Sequence, residues 1–225
     1  MIPIRDTIKS KTIPFVNYAI ITLCGAVFLY EVSLGARAGA FVSSLGVIPA
    51  AVSGSLFQGS FEFRPLMTLV TSMFLHGGWM HLLGNMLYLY IFGDNVEDRL
   101  GHFGYLVFYL TAGIGAGLSE VYFQQESSMP LIGASGAIAG VLGAYFLLFP
   151  RSRILTLIPL FVFFPVVEVS AFFFLGFWFL MQFLQGALSA GAGAAASGGV
   201  AWWAHAGGFV AGAALLPIFL LARRR

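Results

Sequence analysis

SGAIAGVLGAYFLLF, residues 135–149, carries no charged side chain, and its glycines at 136, 140 and 143 recur at helical intervals. In lipid, such small residues let a neighbouring backbone approach closely. Working outward, five more segments are apolar enough to cross a bilayer, at 14–34, 75–93, 105–123, 169–188 and 201–222. A span needs about 20 such residues, so 135–149 is short and points to a helix that begins below the membrane surface. The composition agrees. Hydrophobic residues make up 59% of the 225 and charged residues 9%, against roughly 25% charged in soluble domains. So few charges cannot cover a soluble globule, and the chain reads as an all-α polytopic membrane protein with six transmembrane helices.

Charge placement fixes the expected topology. Arg5, Lys9, Lys11, Arg99, Arg151, Arg153 and Arg223–Arg225 fall on one side of a six-span arrangement, and only Arg37 and Arg64 on the other. The positive-inside rule then places both termini in the cytoplasm. This gives a cytoplasmic segment at 1–13, a membrane domain at 14–222 and a basic tail at 223–225. Ala36-Arg37-Ala38 resembles a signal cleavage site, but the preceding apolar run is too long for a signal core of roughly 7–15 residues. Residues 154–167, broken by Pro159 and Pro165, read as an interfacial connection. Residues 35–64 read as short elements at the membrane interface, and GAGAAASGG at 191–199 as a flexible outer loop. The +2 net charge, without a basic run before the tail, argues against a nucleic-acid partner. The single cysteine, Cys24, forbids an internal disulfide and reads as a small core residue.

Strongly polar side chains inside spans are costly and mark functional sites by default. His81, Asn85, Ser135 and His205 all lie near the outer ends of inward-running spans, with His76 close by and Glu168 at the start of span five. His81 and Asn85, at i and i+4, share a helix face. A serine becomes a nucleophile when an imidazole takes its proton, and an amide, an imidazole N–H and a backbone N–H can stabilise an oxyanion. No acid lies at that depth to complete a triad, so the expectation is a Ser135–His205 dyad. Small residues alone can also mean helix packing, a role open to Gly208 and Gly212. His76, His81 and His205 could hold a metal, but no carboxylate or thiolate stands at ligand spacing, so neither metal nor cofactor is expected.

The sequence resembles the rhomboid family of intramembrane serine proteases. The resemblance rests on Gly133-Ala134-Ser135-Gly136, on Ala204-His205-Ala206-Gly207-Gly208 with Gly212, on Phe74-Leu75-His76-Gly77-Gly78-Trp79-Met80-His81-Leu82-Leu83-Gly84-Asn85, and on Val96-Glu97-Asp98-Arg99-Leu100-Gly101. It implies a six-helix bundle with an outward-opening cavity, and hydrolysis of peptide bonds in transmembrane substrates within the bilayer of a cell membrane. The short tails and the lack of an evident organelle-targeting segment point to a bacterial cytoplasmic membrane. Ser135 matches the nucleophile and His205 the base. His81, Asn85 and the Ser135 N–H match the oxyanion hole, and His76, Gly133 and Gly136 lie near that site. Two positions depart from the pattern. Phe63 stands where many members have the Trp of a Trp-Arg pair, within Phe61-Glu62-Phe63-Arg64. Ala139 stands where many members stack an aromatic ring on the catalytic histidine, so the holder of the imidazole is expected on span six or span two. The flexible outer loop would let span five shift and admit a substrate helix. Two other functions compete: an inactive rhomboid-like protein that binds membrane clients, and a transporter. A transporter would string polar residues through the bilayer, whereas here they cluster at one end.

Overall fold

A computed structural model describes residues 1–57, 62–160, 162–192 and 200–223. The chain is mostly helical. The helices are α1 (Phe15–Ser33), α2 (Ala38–Leu45), α3 (Pro49–Phe57), α4 (Phe63–Thr71), α5 (Trp79–Leu100), α6 (His102–Phe123), α7 (Ser135–Leu148), α8 (Ala171–Ala192) and α9 (Trp202–Arg223). Four of them, α1, α6, α8 and α9, are long and apolar enough to cross a membrane. Helix α5 has 22 residues but ends in Asp94, Glu97, Asp98 and Arg99, and α7 has only 14. At 1.5 Å per residue, α7 is about 21 Å long, shorter than the roughly 30 Å hydrocarbon core.

Helix α7 is the axis of the bundle. Every residue from Gly136 to Tyr145 is buried, because α5, α6, α8 and α9 surround it. Its glycines make that possible. A Cβ on Gly208 would fall inside the Gly136 carbonyl, one on Gly212 inside the Gly140 carbonyl, and one on Gly143 inside the Phe209 carbonyl. On the other flank, Cβ atoms on Gly136 and Gly140 would collide with Ala116 and Ala112 of α6. Dispersion and close backbone approach, rather than expulsion of water, hold membrane helices together, so these missing side chains set the spacing of the three central helices.

The charged turn after α5 anchors α1. Glu97, fully buried, accepts from the N–H groups of Val16 and Asn17 at 3.0 and 2.7 Å, and Asp98 accepts from the N–H and hydroxyl of Thr12. Carboxylates there satisfy helix-start donors that have no partner within their own helix. Arg223, at the end of α9, donates to the Asp98 carbonyl. The segment before α1 and the end of α9 therefore meet at the same end of the bundle.

That end also carries structure that hydropathy reading did not anticipate. The stretch read as an interfacial connection forms two antiparallel strands, β2 (Arg153–Leu157) and β3 (Val166–Ser170), and Ile2–Asp6, here β1, adds to β2 as a third. Glu168, of open role in the sequence, lies on β3 with a carboxylate oxygen 3.8 Å from the Arg153 guanidinium on β2. Residues 35–57 form short helices, as expected of non-crossing elements, and Cys24 is fully buried. The outer loop read as flexible falls mainly at 193–199, outside the described residues.

Asp6 ties the sheet to the bundle. Its carboxylate accepts from the Tyr145 hydroxyl and from the Asn95 side-chain amide. Burial pushes the Asp6 carboxyl above its ordinary range, and the Tyr145 hydrogen bond only partly opposes this. A carboxyl whose folded pKa is raised binds protons more tightly when folded. Its contribution to stability therefore declines as pH rises through and above about 4. Thermal melts of the detergent-solubilised protein between pH 4 and 7 should show a flatter pH dependence for Asp6→Asn than for wild type. Parallel curves would contradict the assignment.

Candidate active site

The N-terminal ends of α5, α7 and α9 converge at the end of the bundle opposite the sheet. Helix α7 starts at Ser135 because Gly133 turns the chain there with φ +124, a region L side chains rarely adopt. Its N–H donates to the Ser72 carbonyl at 2.9 Å. A Cβ at Gly133 would stand 2.7 Å from His81 Nε2, so only glycine lets this backbone pass the imidazole.

The contact between α7 and α9 brings Ser135 Oγ to 2.8 Å from His205 Nε2. On the other side of the ring, His205 Nδ1 lies 2.8 Å from Gln182 Oε1 of α8. With Gln182 Oε1 accepting from Nδ1–H, Nε2 keeps a lone pair directed at the serine hydroxyl. Glu120 of α6 accepts from the N–H of Ala204 at 2.8 Å, which satisfies a first-turn donor of α9 one residue before the histidine.

His81 Nδ1 accepts from the Gly77 N–H at 3.3 Å. That assignment leaves the proton on Nε2, the nitrogen facing Gly133. Asn85, one turn further along α5, is buried, and its Nδ2 has no hydrogen-bond partner among the described residues. This donor borders a cavity of about 250 Å³ that also meets His81, Ser135, Gln182, His205, Trp178 and Met80. Ser135 heads α7, so its N–H is among the helix-start donors without a partner in their own helix. Hydroxyl, imidazole and donors thus surround one space.

Of the residues singled out in the sequence, His81, Asn85, Ser135 and His205 line this cavity together, whereas Gly133 packs against His81, and Gly136 against Ala116 and Ala204, without lining it. His76 stands behind them. It is 1% exposed, its ring centroid is 5.2 Å from that of His81, and its backbone N–H donates to the Glu31 carboxylate. No group of three His, Cys, Asp or Glu side chains suited to a metal occurs among the described residues. Phe63, at the start of α4, is 67% exposed.

One expectation is corrected. The imidazole is held neither from span six nor from span two but from span five, by Gln182, with the Trp178 ring 6.0 Å from that of His205. The signal was present in the sequence: Gln182 is a strongly polar side chain within an apolar span, and it belongs among the residues that the cost of polar groups in lipid marks out.

The rhomboid domain model matches residues 64–222, from the start of α4 to the end of α9. The chain belongs to the rhomboid family. It is 30% identical over 132 residues to the rhomboid protease AarA of Providencia stuartii, which covers 53% of this chain and 45% of that one. It is 43% identical over 76 residues to the rhomboid protease GluP of Bacillus subtilis, covering 34% and 14%. With Rhomboid-like protein 11, chloroplastic, of Arabidopsis thaliana the identity is 42% over 72 residues, covering 32% and 25%. The matched region thus spans less than half of each of these relatives. This rhomboid is a multi-pass membrane protein with protease-named relatives.

Proposed function

We propose that this rhomboid is an intramembrane serine endopeptidase that cleaves peptide bonds in or near transmembrane segments of other proteins. The observation that carries the reading is the 2.8 Å contact between Ser135 Oγ and His205 Nε2, in a cavity that the Asn85 amide also lines. In this mechanism His205 Nε2 takes the hydroxyl proton as Ser135 Oγ attacks the scissile carbonyl carbon. The resulting oxyanion is met by His81 Nε2–H, Asn85 Nδ2–H and the Ser135 N–H. The imidazolium then gives its proton to the leaving amine. Water, deprotonated by the same imidazole, hydrolyses the acyl-enzyme and restores the serine. Asn85 Nδ2, with no protein partner among the described residues, is free to bond the oxyanion as it forms.

Six crossings with both termini in the cytoplasm fit the packing. The segment before α1 and the end of α9 meet at one end, which asks for an even number of crossings. Arg5, Arg99, Arg153 and Arg223 also lie on elements gathered there, and Arg151 in the turn between α7 and β2. The positive-inside rule makes that end cytoplasmic and turns the cavity outward. Because α7 is short, Ser135 sits below the outer surface, where a protein-lined cavity is needed for water to reach it.

Co-reconstitution with a panel of single-span reporter proteins in liposomes tests the proposal. Wild type should cleave at least one reporter within or beside its span. Asn85→Ala should lower that rate by roughly 100-fold or more at unchanged reporter binding. A well-folded wild type that binds reporters without cutting any would instead indicate a client-binding protein.

A further inference from the structure

We infer that Gln182 fixes the tautomer and orientation of His205, so that the site works as a serine–histidine dyad positioned by an uncharged third residue. The inference rests on the protease reading above and adds to it the residue that makes the base competent.

Helix α7 offers the imidazole nothing beyond Ser135. Ala139, one turn on, is fully buried, and a methyl group has neither a ring to stack nor a polar atom to bond. Helix α8 supplies both. Gln182 and Trp178 are four residues apart and so share a face. The amide oxygen of Gln182 reaches Nδ1 at 2.8 Å, and the Trp178 ring lies 6.0 Å from the imidazole at a 36° tilt. Gln182 is only 8% exposed. A buried amide in an apolar helix is expensive unless it is paired, and Nδ1 is the partner that the structure gives its oxygen.

The chemistry selects one tautomer. An amide oxygen can only accept, so it stabilises the form with the proton on Nδ1 and leaves the Nε2 lone pair facing Ser135 Oγ. A carboxylate would do the same and add charge to stabilise the imidazolium, but it would place an ion at membrane depth. Glutamine keeps the orientation without that ion. The groups facing the ring are Ser135 from α7, His81 from α5, Gln182 and Trp178 from α8, and Trp202 from its own helix, while the Glu120 carboxylate of α6 is engaged by the Ala204 N–H. None of these side chains except Gln182 bonds Nδ1, so the base is oriented only while α8 stays in place.

The test uses the full chain in detergent, as wild type, Gln182→Leu and Gln182→Glu, with two readouts. The first is a long-range proton–nitrogen spectrum of 15N-histidine-labelled protein, which reports the His205 tautomer without requiring activity. The second is the rate of labelling by a fluorophosphonate probe across pH. Wild type should carry its His205 proton on Nδ1. Gln182→Leu should shift population toward the Nε2–H form and slow labelling by roughly 10- to 100-fold. Gln182→Glu should restore labelling and move its pH midpoint upward by about 1 unit or more, since a carboxylate on Nδ1 favours the protonated ring and the neutral ring is the base. An Nε2–H tautomer in wild type, or an unchanged spectrum and rate in Gln182→Leu, would overturn the inference. A wild type with the Nδ1–H tautomer but no labelling at any pH would uphold the Gln182 contact and contradict the protease reading instead.

Discussion

Ser135→Ala and His205→Ala are each expected to reduce peptide-bond cleavage by roughly six orders of magnitude. The two effects share a cause. Without the hydroxyl there is no nucleophile, and without Nε2 the hydroxyl keeps its proton and attacks poorly. Because both residues serve one proton transfer, the double variant should be no worse than Ser135→Ala alone. Folding should survive both changes. Ser135 heads its helix rather than filling the core, and His205 faces the cavity, so each truncation enlarges an existing space. Reporter cleavage and thermal melts, measured on the same preparations, separate lost chemistry from lost fold. A double variant far worse than either single one would mean that the two residues act independently.

Gly212→Ala should also slow the reaction, by a smaller factor and from a position well away from the chemistry. A methyl there would overlap the Gly140 carbonyl and stand 2.5 Å from the Gly140 Cα. Both are backbone atoms and cannot rotate aside, so α9 must move away from α7. Overpacking of this kind costs about 1–3 kcal/mol. The displacement also opens the Ser135–His205 contact, since these residues ride on the same two helices, and an error of about 1 Å in catalytic geometry can cost roughly 100-fold in rate. Gly25→Ala on α1 is the control, because nothing lies within 4 Å of its added Cβ. The expected outcome is a lower melting temperature and labelling slowed by about 100-fold for Gly212→Ala, with Gly25→Ala unchanged. A Gly212→Ala protein that melts and labels like wild type would show that this close approach does not set the site.

How much of this was legible in the sequence depends on the range of each interaction. Hydropathy is local, so helices at 15–33, 102–123, 171–192 and 202–223 emerge close to the segments read as spans. The second segment was read from residue 75, but its helix begins at Trp79, after Gly77 and Gly78. The β-sheet was not legible. Strand Ile2–Asp6 pairs with residues about 150 positions away, and five-residue strands announce themselves only through their partners. At the site, the residue types and motifs picked out the side chains that meet in the cavity. The two supports from neighbouring helices, Gln182 on the imidazole and Glu120 on the start of α9, depend on helix rotation and packing, which motif order does not encode. Even so, Gln182 is a polar residue in an apolar span, and the rule that singled out His205 applies to it equally. Tyr145 shows the limit of that rule, for its hydroxyl meets Asp6 across 139 positions of sequence.

The central claim is that His205 activates Ser135, and the most direct measurement is peptide mapping by mass spectrometry after treating the folded, detergent-solubilised protein with a fluorophosphonate. The expected result is one phosphonyl adduct, on Ser135, present in wild type and lost in His205→Ala. An unlabelled wild type, an adduct on another serine, or full labelling of Ser135 without His205 would contradict the claim.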